Sequence, residues 1–182
     1  MKIYILICLS FLLVMPVWAE PVFNTYLAKD GSLLVSYELQ GKDADAFFEH
    51  VTDTLKSGNE IKIVHQVSVK RGKIFSNTLA ITESISAISY DLLQSLYRYK
   101  NKYINTSDEI RVKKDILSSK KLPMLLKGKL VAGDEYRIIV KVFTRSLNKE
   151  KTPNTWKKWI PKLQLPSFTQ KSITYEVPYI AR

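Results

Sequence analysis

The sequence holds one cysteine, Cys8, two histidines and six glycines in 182 residues. Cys8 lies in an apolar N-terminal stretch, so no thiol is found after residue 8. Disulfides, a thiolate metal site and a cysteine nucleophile are thereby excluded from the body of the chain. His50 and His65 each lack a partner at metal-ligand spacing, so no metal and no cofactor is expected. No G-x-S-x-G, H-E-x-x-H or glycine-rich phosphate loop occurs either. The chain reads as non-enzymatic.

What is present begins with a leader. Lys2 is followed by the apolar run Ile3–Val14, broken by Pro16 before Val17-Trp18-Ala19. This is the pattern of a signal peptide cut after Ala19. Residues 1–19 are therefore read as the signal and residues 20–182 as a single β-rich periplasmic domain. The alternative is an uncleaved inner-membrane anchor, for which Ile3–Ala19 is at the short limit. Cys8 sits within the apolar run with no small residue beside it, which argues against a lipidated cysteine. The remaining 163 residues suit one domain and can bury a substantial core.

Charge is unevenly spread. Residues 20–59 carry 3 basic and 7 acidic groups, residues 60–135 carry 14 and 8, and residues 136–182 carry 10 and 2. A surplus of +8 in the last segment points to an anionic partner, an envelope component or a membrane protein, with peripheral membrane contact. A solvated lysine-rich surface is the bland alternative. Nucleic acid is not expected, since no nucleic-acid-binding motif is present.

Periodicity supplies the elements. Asp30-Gly31 separates Val22–Ala28 from Leu33–Leu39, two runs that read as a hairpin. Between Asp43 and Ser57, Phe47, Val51 and Leu55 recur every four residues. Asp43 and Asp45 stand near the start and Lys56 near the end, as a helix dipole favours. Ile61, Ile63, His65, Val67 and Val69 then alternate with Lys62, Gln66, Ser68 and Lys70, a long strand. Leu79, Ile81, Glu83, Ile85 and Ala87 form the apolar register of the next. Thr106 and Glu109 suggest a capping box for a helix over Ser107–Ser119, with Ile110, Lys113 and Leu117 on one face. Further strands are read at Leu122–Leu130, at Tyr136–Thr144 and around Ile173–Val177. In Tyr136–Thr144, Tyr136, Ile138, Val140 and Val142 face one way, while Arg137, Lys141 and Arg145 alternate with Ile139 and Phe143. The fold class expected is mainly β, an immunoglobulin-like β-sandwich with two helical connections, with α+β as the alternative.

Three groups of residues stand out. Trp156, Lys157, Lys158, Trp159 and Lys162 place two indoles three apart among lysines, suited to a membrane interface or a protein contact. The same tryptophans could instead plug an open end of the sandwich. Glu83 sits on the apolar register of its strand, as either a buried acid or the mark of a solvent-facing edge. Should it meet His65 across two paired strands, the two could act as acid and base. Asn105-Thr106-Ser107 is a formal glycosylation sequon, relevant only in a eukaryotic secretory pathway.

Several short stretches carry a family resemblance. Leu55-Lys56-Ser57-Gly58, Ile61-Lys62-Ile63, Ile88-Ser89-Tyr90-Asp91-Leu92-Leu93, Tyr97-Arg98-Tyr99 and Gly133-Asp134-Glu135-Tyr136 resemble the exported proteobacterial domain-of-unknown-function family 4390. The likeness runs from Leu33 over most of the chain. It implies export and a β-rich fold, and it transfers no catalytic residue because the family has no established activity. The C-terminus departs from the family pattern: Leu165-Pro166 follows Trp156 and Trp159, and Tyr175 and Tyr179 stand near the end.

The function expected is a non-enzymatic binding or adaptor domain acting on an anionic envelope component or a membrane-protein partner. The rival is an envelope-polymer hydrolase using Glu83 and His65. A third reading, docking by β-strand addition, requires a long exposed edge. The leader makes a direct prediction: intact-mass measurement of the protein recovered from the cell envelope gives a chain beginning at Glu20. A mass that includes Met1 identifies the anchored form instead.

Overall fold

The computed structural model describes residues 21–28, 32–72, 77–100, 104–126, 130–146 and 171–180. The expected leader and the tryptophan–lysine segment, Trp156–Lys162, lie outside these residues. Nine strands and two helices follow in the order β1 (Val22–Leu27), β2 (Leu33–Glu38), α1 (Lys42–Lys56), β3 (Ile61–Arg71), β4 (Asn77–Asp91), β5 (Leu96–Tyr99), β6 (Ile104–Thr106), α2 (Glu109–Leu117), β7 (Ser118–Met124), β8 (Glu135–Ser146) and β9 (Ser172–Ile180).

The strands form two antiparallel sheets, one of three in the order β1-β2-β7 and one of six in the order β6-β5-β4-β3-β8-β9. The chain is thus mainly β and sandwich-like. The division is three against six, where an immunoglobulin constant domain has four and three.

Strand β3 is the centre of the larger sheet. It pairs with β4 over Ile61↔Ile88 to Arg71↔Asn77 and with β8 over Ile61↔Ser146 to Arg71↔Tyr136. Its alternation, apolar inward and Lys62, Gln66, Ser68 and Lys70 outward, is the one read from the sequence. Ile61, Ile63, Val67 and Val69 are wholly buried on the inner side, together with Ile138, Val140 and Val142 of β8.

Helix α1 and the three-stranded sheet both contribute to the core that this inner face joins. The four-residue recurrence of Phe47, Val51 and Leu55 is their shared burial at 0% exposure, with Ala44 completing the stripe. The helix ends where Gly58, at φ 83°, takes a left-handed conformation that side chains with a Cβ rarely adopt. Its amide bonds back to the Leu55 carbonyl at 3.0 Å.

Helix α2 departs from expectation. It starts at Glu109, and its N-cap is Asp108, whose carboxylate accepts from the amides of Ile110 and Arg111; Thr106 instead accepts from the Asp108 amide. Aspartate is the stronger cap of the two, and the later start rotates the buried face. Val112, Ile116 and Leu117 are buried, and Ile110 is 82% exposed.

The helices are tied by charge. Lys56 Nζ lies 2.9 Å from Glu109 Oε1, and Lys113 Nζ lies 2.7 Å from Asp45 Oδ1. Tyr97 of β5 donates to the same Glu109 oxygen at 3.1 Å. The Lys56 hydrogen bond, then that of Tyr97, holds the Glu109 carboxyl below its ordinary value. Burial, then the Glu109 carboxylate, pushes Tyr97 up to about 12.

A depressed carboxyl stabilises the fold above its unfolded value, and that contribution is lost as pH falls through the folded one. Glu109→Gln is therefore expected to lower stability at neutral pH by about 0.2–1 kcal/mol, the range for exposed pairs. Urea unfolding shows that deficit at neutral pH, and the gap closes only as pH falls below the ordinary carboxylate range, through the lowered Glu109 value.

Candidate basic and apolar sheet face

The outer face of the six-stranded sheet is built by the residues that the core leaves over. Along β8, burial of Tyr136, Ile138, Val140 and Val142 forces Arg137, Ile139, Lys141, Phe143 and Arg145 outward. Along β3 the outward set is Lys62, Val64, Gln66, Ser68 and Lys70.

The ladder arranges these in rows: Lys62 lies beside Arg145, Val64 beside Phe143, Gln66 beside Lys141, and Lys70 beside Arg137. Five cations on two neighbouring strands thus share one face. The carboxylates on the same face include Glu83 of β4 and Glu176 of β9, with Glu135 at the start of β8 and Asp91 at the end of β4 on the same register.

An apolar centre sits among the cations. Phe143 is 5% exposed and Val64 0%, although neither belongs to the main core. Lys141 Nζ stands 5.4 Å from the Phe143 ring centroid, and the Arg145 guanidinium carbon stands 4.9 Å from it. Both distances lie within cation–π range. Next to them, Ile85 is 42% exposed and Ile81 60%.

Glu83 and Glu176 are both engaged. Gln66 donates to Glu83 at 2.7 Å, and Arg145 lies 3.9 Å from the same carboxylate oxygen. Arg137 donates to Glu176 at 3.0 Å and to the Gly72 carbonyl at 2.9 Å.

The acid–base pair that the rival hydrolase reading requires does not assemble. Glu83 pairs with Gln66 and faces outward, while His65 pairs with Ser84 and is buried inward. The aliphatic register of β4 is its outer one, the solvent-facing alternative offered for Glu83. The inner register, Thr82, Ser84 and Ser86, is small and polar because β7 closes on it. Thr82 Oγ1 donates to the Pro123 carbonyl of β7 at 3.0 Å. A bulge at Leu79 then turns that residue back toward the core.

His65 instead serves the packing of the two sheets. Its Nδ1 lies 2.6 Å from Tyr37 Oη of β2, in a hydrogen bond whose direction is set by the imidazole tautomer. Phe23, Tyr37 and His65 form a run of rings with centroids 6.1 and 6.0 Å apart. Burial pushes the Tyr37 phenol well above its ordinary value, so it stays neutral.

His50 is half-buried on α1. Among the described residues no group of three metal-binding side chains converges. A cavity of about 340 Å³ between the start of α1 and α2 is lined by Asp45 and Lys113, which neutralise each other. Sequence reasoning placed the functional surface at Trp156–Lys162 and passed over the sheet face. The signal for that face was the alternation of Arg137, Lys141 and Arg145 with Ile139 and Phe143.

Replacing Tyr37 by Phe removes a buried inter-sheet hydrogen bond. The expected cost is about 1–3 kcal/mol, read as a lower urea midpoint at unchanged slope. No family model, no curated protein and no solved structure matches the chain.

Proposed function

We propose that this chain is an exported, non-enzymatic binding domain that docks on an anionic envelope component through the outer face of its six-stranded sheet. The observation that supports this most is the placing of Lys62, Lys141 and Arg145 around Phe143 and Val64. Such a surface offers cations to phosphate or carboxylate groups, with Ile81 and Ile85 exposed beside them. The family resemblance and the leader favour the envelope as its location. The surplus of basic groups after residue 135 adds long-range attraction toward the same kind of partner.

Co-sedimentation with vesicles tests the reading. Phosphatidylglycerol vesicles are expected to bind the protein and phosphatidylcholine vesicles are not, with binding falling as salt rises. Each basic residue near an anionic surface is worth about 1 kcal/mol, so Lys141→Glu with Arg145→Glu, which removes two cations, weakens binding by at least about thirtyfold. Charge reversal at Lys157, Lys158 and Lys162 in a second variant measures the part played by that segment. Equal binding to both vesicle types, or indifference to the Lys141 and Arg145 reversal, overturns the proposal.

A further inference from the structure

Strands β4 and β5 carry their hairpin past the end of β3. The β3–β4 ladder begins at Ile61↔Ile88, so Ser89, Tyr90 and Asp91 run on beyond it and pair with Arg98, Tyr97 and Leu96. Three residues set the turn about 10 Å beyond β3. Residues 92–95 make that turn. Leu92 is 62% exposed and Leu93 98%, two adjacent leucines at the apex of a projecting hairpin.

The turn is ordered by its own polar groups. Asp91 Oδ1 accepts from the amides of Leu93 and Gln94 at 2.9 and 3.1 Å. The other Asp91 oxygen accepts from Arg98, whose guanidinium also donates to Gln94 Oε1 at 2.9 Å. Ser95, at φ 53°, takes the left-handed conformation that closes the loop. Two apical amides are thus satisfied from within, and the Asp91 charge is matched by Arg98. Those donors and that charge can leave bulk water without the penalty of an unpaired group.

Exposed apolar side chains held on an ordered turn mark a contact surface. Shape and charge select what it contacts. A stable protein interface takes about 800 Å² from each partner, and leucine is under-represented among the residues that dominate such interfaces. A convex tip bearing two leucines offers far less area than that. A bilayer closes round a convex tip on every side, and its hold grows with buried apolar area and with attraction to anionic lipid. Cations stand on the outer register at this end of the sheet. Arg98 lies beside Ser89, and Lys62 lies between Ala87 and Arg145.

We infer that the β4–β5 tip inserts Leu92 and Leu93 into the boundary between headgroups and acyl chains of an anionic bilayer. The domain tilts onto that tip, so Lys62 and Arg145 meet the headgroups. The inference rests on the proposed function for the charge of the bilayer. The leucines add a part of the binding that salt does not screen. Val131, 47% exposed, precedes β8 at the opposite end of the sheet and stands away from the lipid.

A fluorescent probe read on vesicles is the test. In a Cys8→Ser background, expressed with its own N-terminal segment, Leu93→Cys and Val131→Cys each carry an environment-sensitive label. On phosphatidylglycerol vesicles the label at position 93 shifts to the blue and is quenched by spin-labelled lipid chains. The label at position 131 does neither. In the unlabelled protein, Leu92→Ser with Leu93→Ser weakens binding to those vesicles by about tenfold or more and removes the part that survives high salt. Neither leucine belongs to the core, so the urea midpoint stays where it was.

A label at position 93 that stays in water on bound protein, or equal quenching at both positions, overturns the insertion and leaves the basic-face reading standing. Insertion that persists while the Lys141 and Arg145 reversal changes nothing supports the inference and overturns that reading. Absence of vesicle binding overturns both. A photocrosslinker at position 93 that captures one envelope protein and no lipid gives the tip to a protein partner, and the inference fails.

Discussion

The register of β3 between β4 and β8 is the constraint from which the rest of the molecule follows. Side chains on a strand alternate with a period of two, so a slip by one residue would exchange the two faces of the sheet. Lys62, Gln66 and Lys70 would then enter the core, and Ile61, Ile63, Val67 and Val69 would leave it. Burying an unpaired ammonium costs several kcal/mol, and exposing four aliphatic side chains costs about 1.5–3 kcal/mol each. Two ladders, eleven residue pairs long on the β8 side, hold the strand in place. The basic outer face is the obligatory complement of the aliphatic inner one.

How much of this the sequence disclosed depends on how unambiguous each local period is. The β1–β2 hairpin, helix α1, and the alternations of β3 and β8 were all legible, because turn residues or buried stripes mark them without a competing reading. Strand β4 stayed open between a buried and a solvent-facing register for a physical reason. Its aliphatic register lies outside because its inner side chains must be small where β7 approaches. Hydrophobicity then follows a tertiary demand that no local pattern reports. The capping of α2 was missed because Thr106 and Asp108 both suit an N-cap, and the choice between them decides which residues are buried. His65 was placed correctly on the inward register. Its partner Tyr37, 28 residues earlier, is a contact that only the packing of two sheets creates.

Charge asymmetry along the chain becomes asymmetry across the molecule. The acidic N-terminal portion includes α1, which buries Phe47, Val51 and Leu55 and leaves Asp43, Asp45, Glu49 and Asp53 exposed. The basic portion includes β8, whose outward residues make the cationic face on the other side of the same core. An anionic surface therefore attracts the sheet face and repels the helix face. This field orients the domain before contact and reaches about 10 Å at 0.1 M salt.

The chemistry of that face also bears on what it can hold. Lys141 and Arg145 lie over Phe143 and keep water from an aromatic ring that stands outside the main core. The stems of long cationic side chains can cover apolar area while their heads stay solvated. A ligand that displaced them to reach the ring would forfeit two cation–π contacts, each worth about 0.5–1 kcal/mol at an exposed site. A ligand that meets the heads where they stand keeps those two contacts. The face is therefore suited to a layer of anions spread over an area, such as headgroups or polymer phosphates, and poorly suited to a compact apolar molecule.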